Sequence, residues 1–171
     1  MRGIPCFIFA VALVLALCAG CGAAFDGTTY RGSNYSFRVG ERPASWQPID
    51  AEGAGLAFRD ADANATIAVN GRCGKDADDV PLASLTQHLF LMFTEREILH
   101  EEVVPFDGRE AQHTVLAAKL DGVPKRFDVW VLKKDGCVYD LYFIAPPEKF
   151  EASVGGFRKF VSGFAAVPFG G

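Results

Sequence analysis

Three Asp-Gly pairs divide the second half of the chain. Asp107-Gly108, Asp121-Gly122 and Asp135-Gly136 follow one another at intervals of 14 residues, and each lies between runs of strand-forming residues. Asp-Gly favours two-residue hairpin turns, because both central positions of such a turn need a positive φ. The pattern therefore predicts a meander of four antiparallel strands. Their expected ranges are 98–106, 109–120, 125–133 and 137–145.

The last two of these strands carry apolar side chains on both faces, so the sheet needs cover on both sides. Apolar residues between Pro81 and Phe93 recur at three- and four-residue steps, which predicts an amphipathic helix. The segment from Pro147 carries a second helical stripe, which Gly155-Gly156 should weaken or kink. We expect an α+β fold: an antiparallel β-sheet meander with helices on both faces.

The first half of the mature chain has weaker strand signals. Residues 35–39 alternate apolar and polar side chains, and residues 56–59 and 66–70 predict a hairpin. Between them, residues 40–55 read as an irregular loop with Trp46 over the edge of the core.

The first 20 residues have the pattern of a secretory signal. A basic start is followed by an apolar run at 4–17, which is shorter than the roughly 20 residues that cross a bilayer. Leu17-Cys18-Ala19-Gly20-Cys21 resembles the lipobox of bacterial lipoproteins. The resemblance implies an acylated Cys21 as the new N-terminus, with residues 21–34 as a lipidated tether. An ordinary cleaved signal with a chance cysteine is the alternative.

Export also limits the roles of the other cysteines. Cys6 and Cys18 leave with the signal and Cys21 carries lipid, so Cys73 and Cys137 remain in an oxidising compartment. We predict a disulfide between Cys73 and Cys137; two separate buried thiols are the alternative.

Charge and motifs argue against several functions. The chain has 17 basic and 21 acidic residues, a formal net charge of −4, which disfavours nucleic-acid binding. We find no Gly-x-Ser-x-Gly and no phosphate-binding glycine loop, so we expect no enzyme and no cofactor. Asp60, Asp62 and Asn64 begin like a calcium loop, but Ala65 stands where the loop needs glycine. We interpret them as a solvated hairpin tip.

The three histidines do not have the spacing of metal ligands. His88, His100 and His113 form no His-x-x-x-His pair, and His113 alternates with apolar residues as on a packed sheet face. We therefore expect no metal site. The alternative is a zinc or copper site built from His100, His113 and Glu102, brought together by neighbouring strands.

Several short motifs resemble the bacterial PsbP-like lipoproteins. They are Pro43-x-x-Trp46, the turn from Asp107 to Ala111, the strand from Lys134 to Leu141, Ala145-Pro146-Pro147 and the closing Phe160-Val161-Ser162-Gly163-Phe164. The resemblance spans about residues 30–164. It implies an antiparallel sheet sandwiched by helices, a fold shared by the photosystem II extrinsic subunit and a Ran-binding nuclear import factor. It also implies binding of protein partners rather than chemistry.

These observations predict one domain at 35–165, followed by a tail at 166–171. Gly22, after the acceptor cysteine, resembles Gram-negative signals for the outer membrane. We expect a periplasmic lipoprotein anchored there, acting as a non-catalytic module for an unidentified envelope protein. The main alternative is a carrier of a small apolar ligand between sheet and helix. A weaker third is a hydrolase whose site joins residues distant in sequence.

Overall fold

The structure is a computed structural model that describes residues 24–77 and 79–168. The predicted signal at 1–20 and the acylated Cys21 lie outside the described residues, so both stay predictions. In chain order the elements are β1 (Ala24–Phe25), β2 (Thr29–Arg31), β3 (Ser36–Arg38), β4 (Gln47–Pro48), β5 (Leu56–Asp60), β6 (Ala65–Cys73), α1 (Leu82–His88), β7 (Thr94–Phe106), β8 (Arg109–Leu120), β9 (Val123–Lys134), β10 (Cys137–Ala145), α2 (Pro147–Ser162) and β11 (Ala165–Val167).

Seven strands form one antiparallel sheet in the order β4-β5-β6-β10-β9-β8-β7. The predicted meander is its second half, and the hairpin at 56–70 supplies β5 and β6. Each of Asp107, Asp121 and Asp135 has a positive φ near 50°, and the glycine after each is positive as well. The Asp-Gly turns are therefore of the type predicted from the sequence, and the four meander strands are confirmed.

Four short strands form a second sheet, in the order β1-β2-β3-β11. This sheet corrects two predicted boundaries. Residues 24–31, expected as part of a tether, pair as β1 and β2, and residues 165–167 pair with β3 although the tail was expected from residue 166. The ordered unit thus extends beyond 35–165, because these weak strand segments gain their hydrogen bonds from a partner distant in sequence.

Helix α2 covers one face of the large sheet. Its stripe is buried, with Phe150, Phe157 and Phe160 fully enclosed among the core side chains. The helix continues without interruption through Gly155-Gly156, the position at which weakening or a kink was predicted. A Cβ on Gly156 would lie 3.0 Å from Pro43 Cγ, which shows that the glycine allows the loop before β4 to approach closely. Trp46 from this loop is buried, rather than lying over the core edge.

Helix α1 covers the opposite face, so the prediction of helices on both faces is confirmed. It is shorter than the expected 81–93 and ends at His88. Phe90 and Phe93 lie in the segment between α1 and β7, yet their rings still contact Phe127 at 5.4 and 4.9 Å between centroids. The apolar stripe therefore predicted which side chains pack against the sheet, but it did not predict where the helix ends.

Candidate functional site

Strand β7 is the exposed edge of the large sheet. Among the described residues it pairs with β8 alone, and its first ten residues are exposed on both faces. Three of them are large apolar residues: Ile98 is 58% exposed, Leu99 44% and Val103 55%. A long edge strand with exposed apolar side chains is unusual, because free strand edges promote pairing with other chains.

A cluster of titratable side chains lies on the face of β7, β8 and β9 that α2 partly covers. Glu102 is opposite His113, and His113 is opposite Trp130. Glu102 Oε1 lies 3.1 Å from His100 Nε2 and 3.3 Å from His113 Nδ1. The ligand atoms of the three residues all lie within 4.8 Å of one another. The structure thus brings together the three residues named in the alternative metal site.

The fully buried carboxylate of Asp128 holds this cluster in place. Its Oδ1 atom is 3.0 Å from His113 Nε2 and accepts a hydrogen bond from Trp130 Nε1 at 2.9 Å. Its Oδ2 atom accepts a 2.9 Å hydrogen bond from Arg158 Nε on α2. A buried carboxylate needs such partners. The His113 ring also stacks on Trp130, with 4.1 Å between ring centroids.

The electrostatics of the cluster follow from these contacts. Burial lowers the pKa of His113, but hydrogen bonds and charges from Asp128 and Glu102 outweigh burial, so the pKa lies above its usual value. Hydrogen bonds from His100 and then from His113 lower the pKa of Glu102. A cationic charge between Glu102 and Asp128 is therefore favoured.

The cluster opens to solvent in a groove of about 640 Å³. Leu99, Val115, Arg126 and Arg158 line it together with the cluster. His100 and Glu102 lie on its exposed side, whereas His113 is buried. A small ligand or ion can therefore reach the three side chains from this groove.

Other candidate residues have structural roles. Asp60 Oδ1 accepts backbone hydrogen bonds from Asp62 at 3.1 Å and Ala63 at 3.2 Å, and Arg59 binds Asn64. These polar side chains therefore stabilise the hairpin tip at 60–64, as the sequence interpretation expected.

The disulfide between Cys73 and Cys137 is present, as predicted. It joins two residues directly opposite each other on β6 and β10, with 4.1 Å between their Cα atoms. The antiparallel ladder places the two thiols together, although 64 residues separate them in sequence.

An apolar cavity of about 190 Å³ lies between the segment after α1 and the sheet. Its position is that of the predicted apolar-ligand site. The lining residues are Leu89, Phe90, Phe93, Phe127, Val129, Tyr142 and Ile144.

Solved structures with the same arrangement identify the fold. The solution structure of cyanobacterial PsbP (CyanoP) from Synechocystis sp. PCC 6803 has a TM-score of 0.59 and 16% identity, covering 90% of this chain and 99% of that chain. The crystal structure of LpqN, involved in cell envelope biogenesis of Mycobacterium tuberculosis, has a TM-score of 0.57 and 14% identity, covering 81% and 88%. This chain has the PsbP-like fold.

The likeness concerns the fold alone, because the identities are low. No protein-family model matches the sequence, and no curated protein matches it either. Within residues 24–77 and 79–168, no helix of this PsbP-like domain is long and apolar enough to span a membrane.

Sequence reasoning missed Asp128 and Arg158. A signal for Asp128 was available: it stands between Phe127 and Val129 in a strand that is apolar on both faces, so its carboxylate had to be buried with partners. Arg158 gave no comparable signal, because a single arginine between apolar helical residues usually faces solvent.

Proposed function

We propose that this chain is a non-catalytic module of the cell envelope that binds a protein partner along the free edge of β7. The observation that carries the proposal is the exposure of this edge strand over its first ten residues. Within residues 24–77 and 79–168, the outer backbone N–H and C=O groups of β7 face no neighbouring strand, so they can accept an extended segment as an additional strand.

The side chains of β7 define the partner segment. Ile98 lies opposite Leu116 and Val103 opposite Gln112, so both apolar residues project from the α1 side of the sheet. The strand also carries four glutamates against one arginine. An extended segment with alternating apolar and basic side chains complements this edge.

Three observations support a location in the envelope. Residues 1–20 have the signal pattern, and Cys21 stands at the acceptor position of a lipobox-like sequence. The disulfide is typical of oxidising compartments. LpqN, which shares the fold, is described as involved in cell envelope biogenesis. Attachment through acylated Cys21, at the outer membrane facing the periplasm, is part of the proposal.

Photo-crosslinking in living cells tests the binding edge. A photoreactive residue at Ile98 or Val103 is expected to link to one partner, whereas the same residue at exposed Asp62 on the distant hairpin tip is not. Mass spectrometry of the crosslink should identify an extended segment with apolar and basic residues. Val103→Lys should abolish the crosslink from position 98. Equal labelling from Asp62, or no effect of Val103→Lys, would reject the edge as the binding surface.

Intact-mass measurement tests the anchor separately. We expect loss of residues 1–20 and the added mass of acyl chains, both abolished by Cys21→Ser and unaffected by the control Cys18→Ser. A soluble species that keeps Met1 in the wild-type protein would overturn the envelope location.

The apolar cavity favours a second function, the transport of a small apolar ligand. Its volume of about 190 Å³ is below the roughly 300–1,000 Å³ of typical ligand sites, so it fits a molecule about the size of one aromatic ring. Native mass spectrometry of the purified protein should reveal such a ligand, and Ile144→Phe, which adds a ring at the cavity wall, should exclude it. Ligand-free wild-type protein would count against this function.

A further inference from the structure

The cluster in the groove brings together one potential metal-ligand atom from each of His100, Glu102 and His113. Both oxygens of Asp128 accept hydrogen bonds, and one of them pairs with the Arg158 guanidinium. The Nε2 atom of His113 must therefore donate its proton to Asp128, which leaves the lone pair of neutral His113 on Nδ1. That lone pair faces Glu102 Oε1, which accepts but cannot donate as a carboxylate.

A proton on Nδ1 can join these two atoms when the ring is cationic, and a metal ion can take the place of that proton when the ring is neutral. His100 Nε2 also faces Glu102 Oε1, at 3.1 Å. We propose that His100, Glu102 and His113 bind one divalent transition-metal ion of the zinc class. The site is independent of the proposed partner edge, because it uses side chains on one face and not the strand's unpaired backbone.

The distances fit this assignment. Zinc bonds to nitrogen and carboxylate oxygen are about 2.0–2.2 Å, so tetrahedral ligand atoms lie about 3.4 Å apart. Glu102 Oε1 is 3.1 Å from His100 Nε2 and 3.3 Å from His113 Nδ1. All three ligand atoms lie within 4.8 Å of one another, and the His100 ring, which is about half exposed, can adjust its position. The groove leaves the fourth position open to water.

Asp128 acts as a positioning residue for this site. Histidine ligands of metals usually donate their other ring N–H to a carboxylate or carbonyl, which fixes the tautomer and the ring orientation. Asp128 does this for His113, and stacking on Trp130 holds the ring plane. Such an arrangement prepares His113 as a ligand before any metal binds.

The donor set defines the class of metal. Two imidazoles and one carboxylate suit zinc and the neighbouring late first-row metals, whereas calcium and magnesium prefer oxygen ligands alone. Zn²⁺ is therefore the probe for the test.

The test is titration of the metal-free full-length protein with Zn²⁺ by calorimetry and native mass spectrometry. We expect one ion per chain. His100→Ala and Glu102→Gln should each weaken binding at least 10-fold; both residues are exposed, so these variants should keep the fold. His88→Ala is the matched control and should bind as the wild type does. Asp128→Asn should weaken binding about 10- to 100-fold.

Nitrogen-15 NMR of the histidine rings separates ligation from a purely structural role. Zn²⁺ should shift the Nδ1 signal of His113 and the Nε2 signal of His100, while His113 keeps its Nε2–H and His88 does not change. Failure to bind Zn²⁺ at 100 µM, or equal affinity of the wild type, His100→Ala and Glu102→Gln, would overturn the proposal.

Discussion

Removal of the disulfide is expected to cause a large loss of stability. Cys73 and Cys137 close a loop of 64 residues. In the chain-entropy model, a loop of this length stabilises the folded protein by about 4 kcal/mol at 25 °C, because it restricts the unfolded chain. The native structure itself should persist, since eight residue pairs hold β6 against β10.

The perturbation is the double variant Cys73→Ser/Cys137→Ser, which leaves no unpaired thiol at this position. A loss of about 4 kcal/mol is a large part of the 5–15 kcal/mol that stabilises a typical domain. It corresponds to a decrease in Tm of about 8–16 °C for a domain of this size. Urea unfolding followed by circular dichroism measures the free energy of unfolding, and the reduced wild-type protein is the control.

The two reduced forms should agree, because both lack the crosslink and share the fold. The reasoning would be refuted if the double variant and the reduced wild type each lost less than about 1 kcal/mol. It would also fail if the double variant lost its secondary structure in the absence of urea, because the crosslink would then be holding the native sheet together.

Two further predictions concern the packing. Arg72→Ala should destabilise the protein by about 3 kcal/mol at pH 7, because it leaves the buried Asp140 carboxylate unpaired. Burial raises the pKa of Asp140 while Arg72 lowers it. In Arg72→Ala, the loss of stability should therefore become smaller as the pH falls through this raised pKa, because the folded state then binds a proton that the unfolded chain lacks. Urea unfolding at pH 7 and pH 4 measures this change. A loss of stability that is the same at both pH values would contradict the prediction. Gly155→Ala, whose Cβ meets no neighbour, should raise stability by about 0.5–1 kcal/mol, whereas Gly163→Ala, whose Cβ would lie 2.4 Å from Gly40 Cα, should lower it by about 1–3 kcal/mol. Thermal unfolding distinguishes them, and equal effects would contradict the packing argument.

Local signals predicted the elements whose backbone is fixed by a few neighbouring residues. The Asp-Gly turns defined both ends of 109–120, because positive φ at two successive positions is a local requirement. The sequence also predicted correctly that β10 begins at Cys137 and that α2 begins at Pro147. The segment 24–31 was missed, since its polar composition is typical of a tether and its strands depend on pairing with β3.

The sequence by itself determined the meander, the apolar stripes that bury α1 and α2, and the choice of Cys73 and Cys137 as partners. Only the tertiary structure decided that His100, Glu102 and His113 converge above Asp128. The reason is physical: turn geometry and hydrophobic periodicity act over a few residues, whereas the position of a side chain on a neighbouring strand depends on the register of the whole sheet. A bulge between Ile98 and His100 sets that register here, and no local pattern in the sequence encodes it.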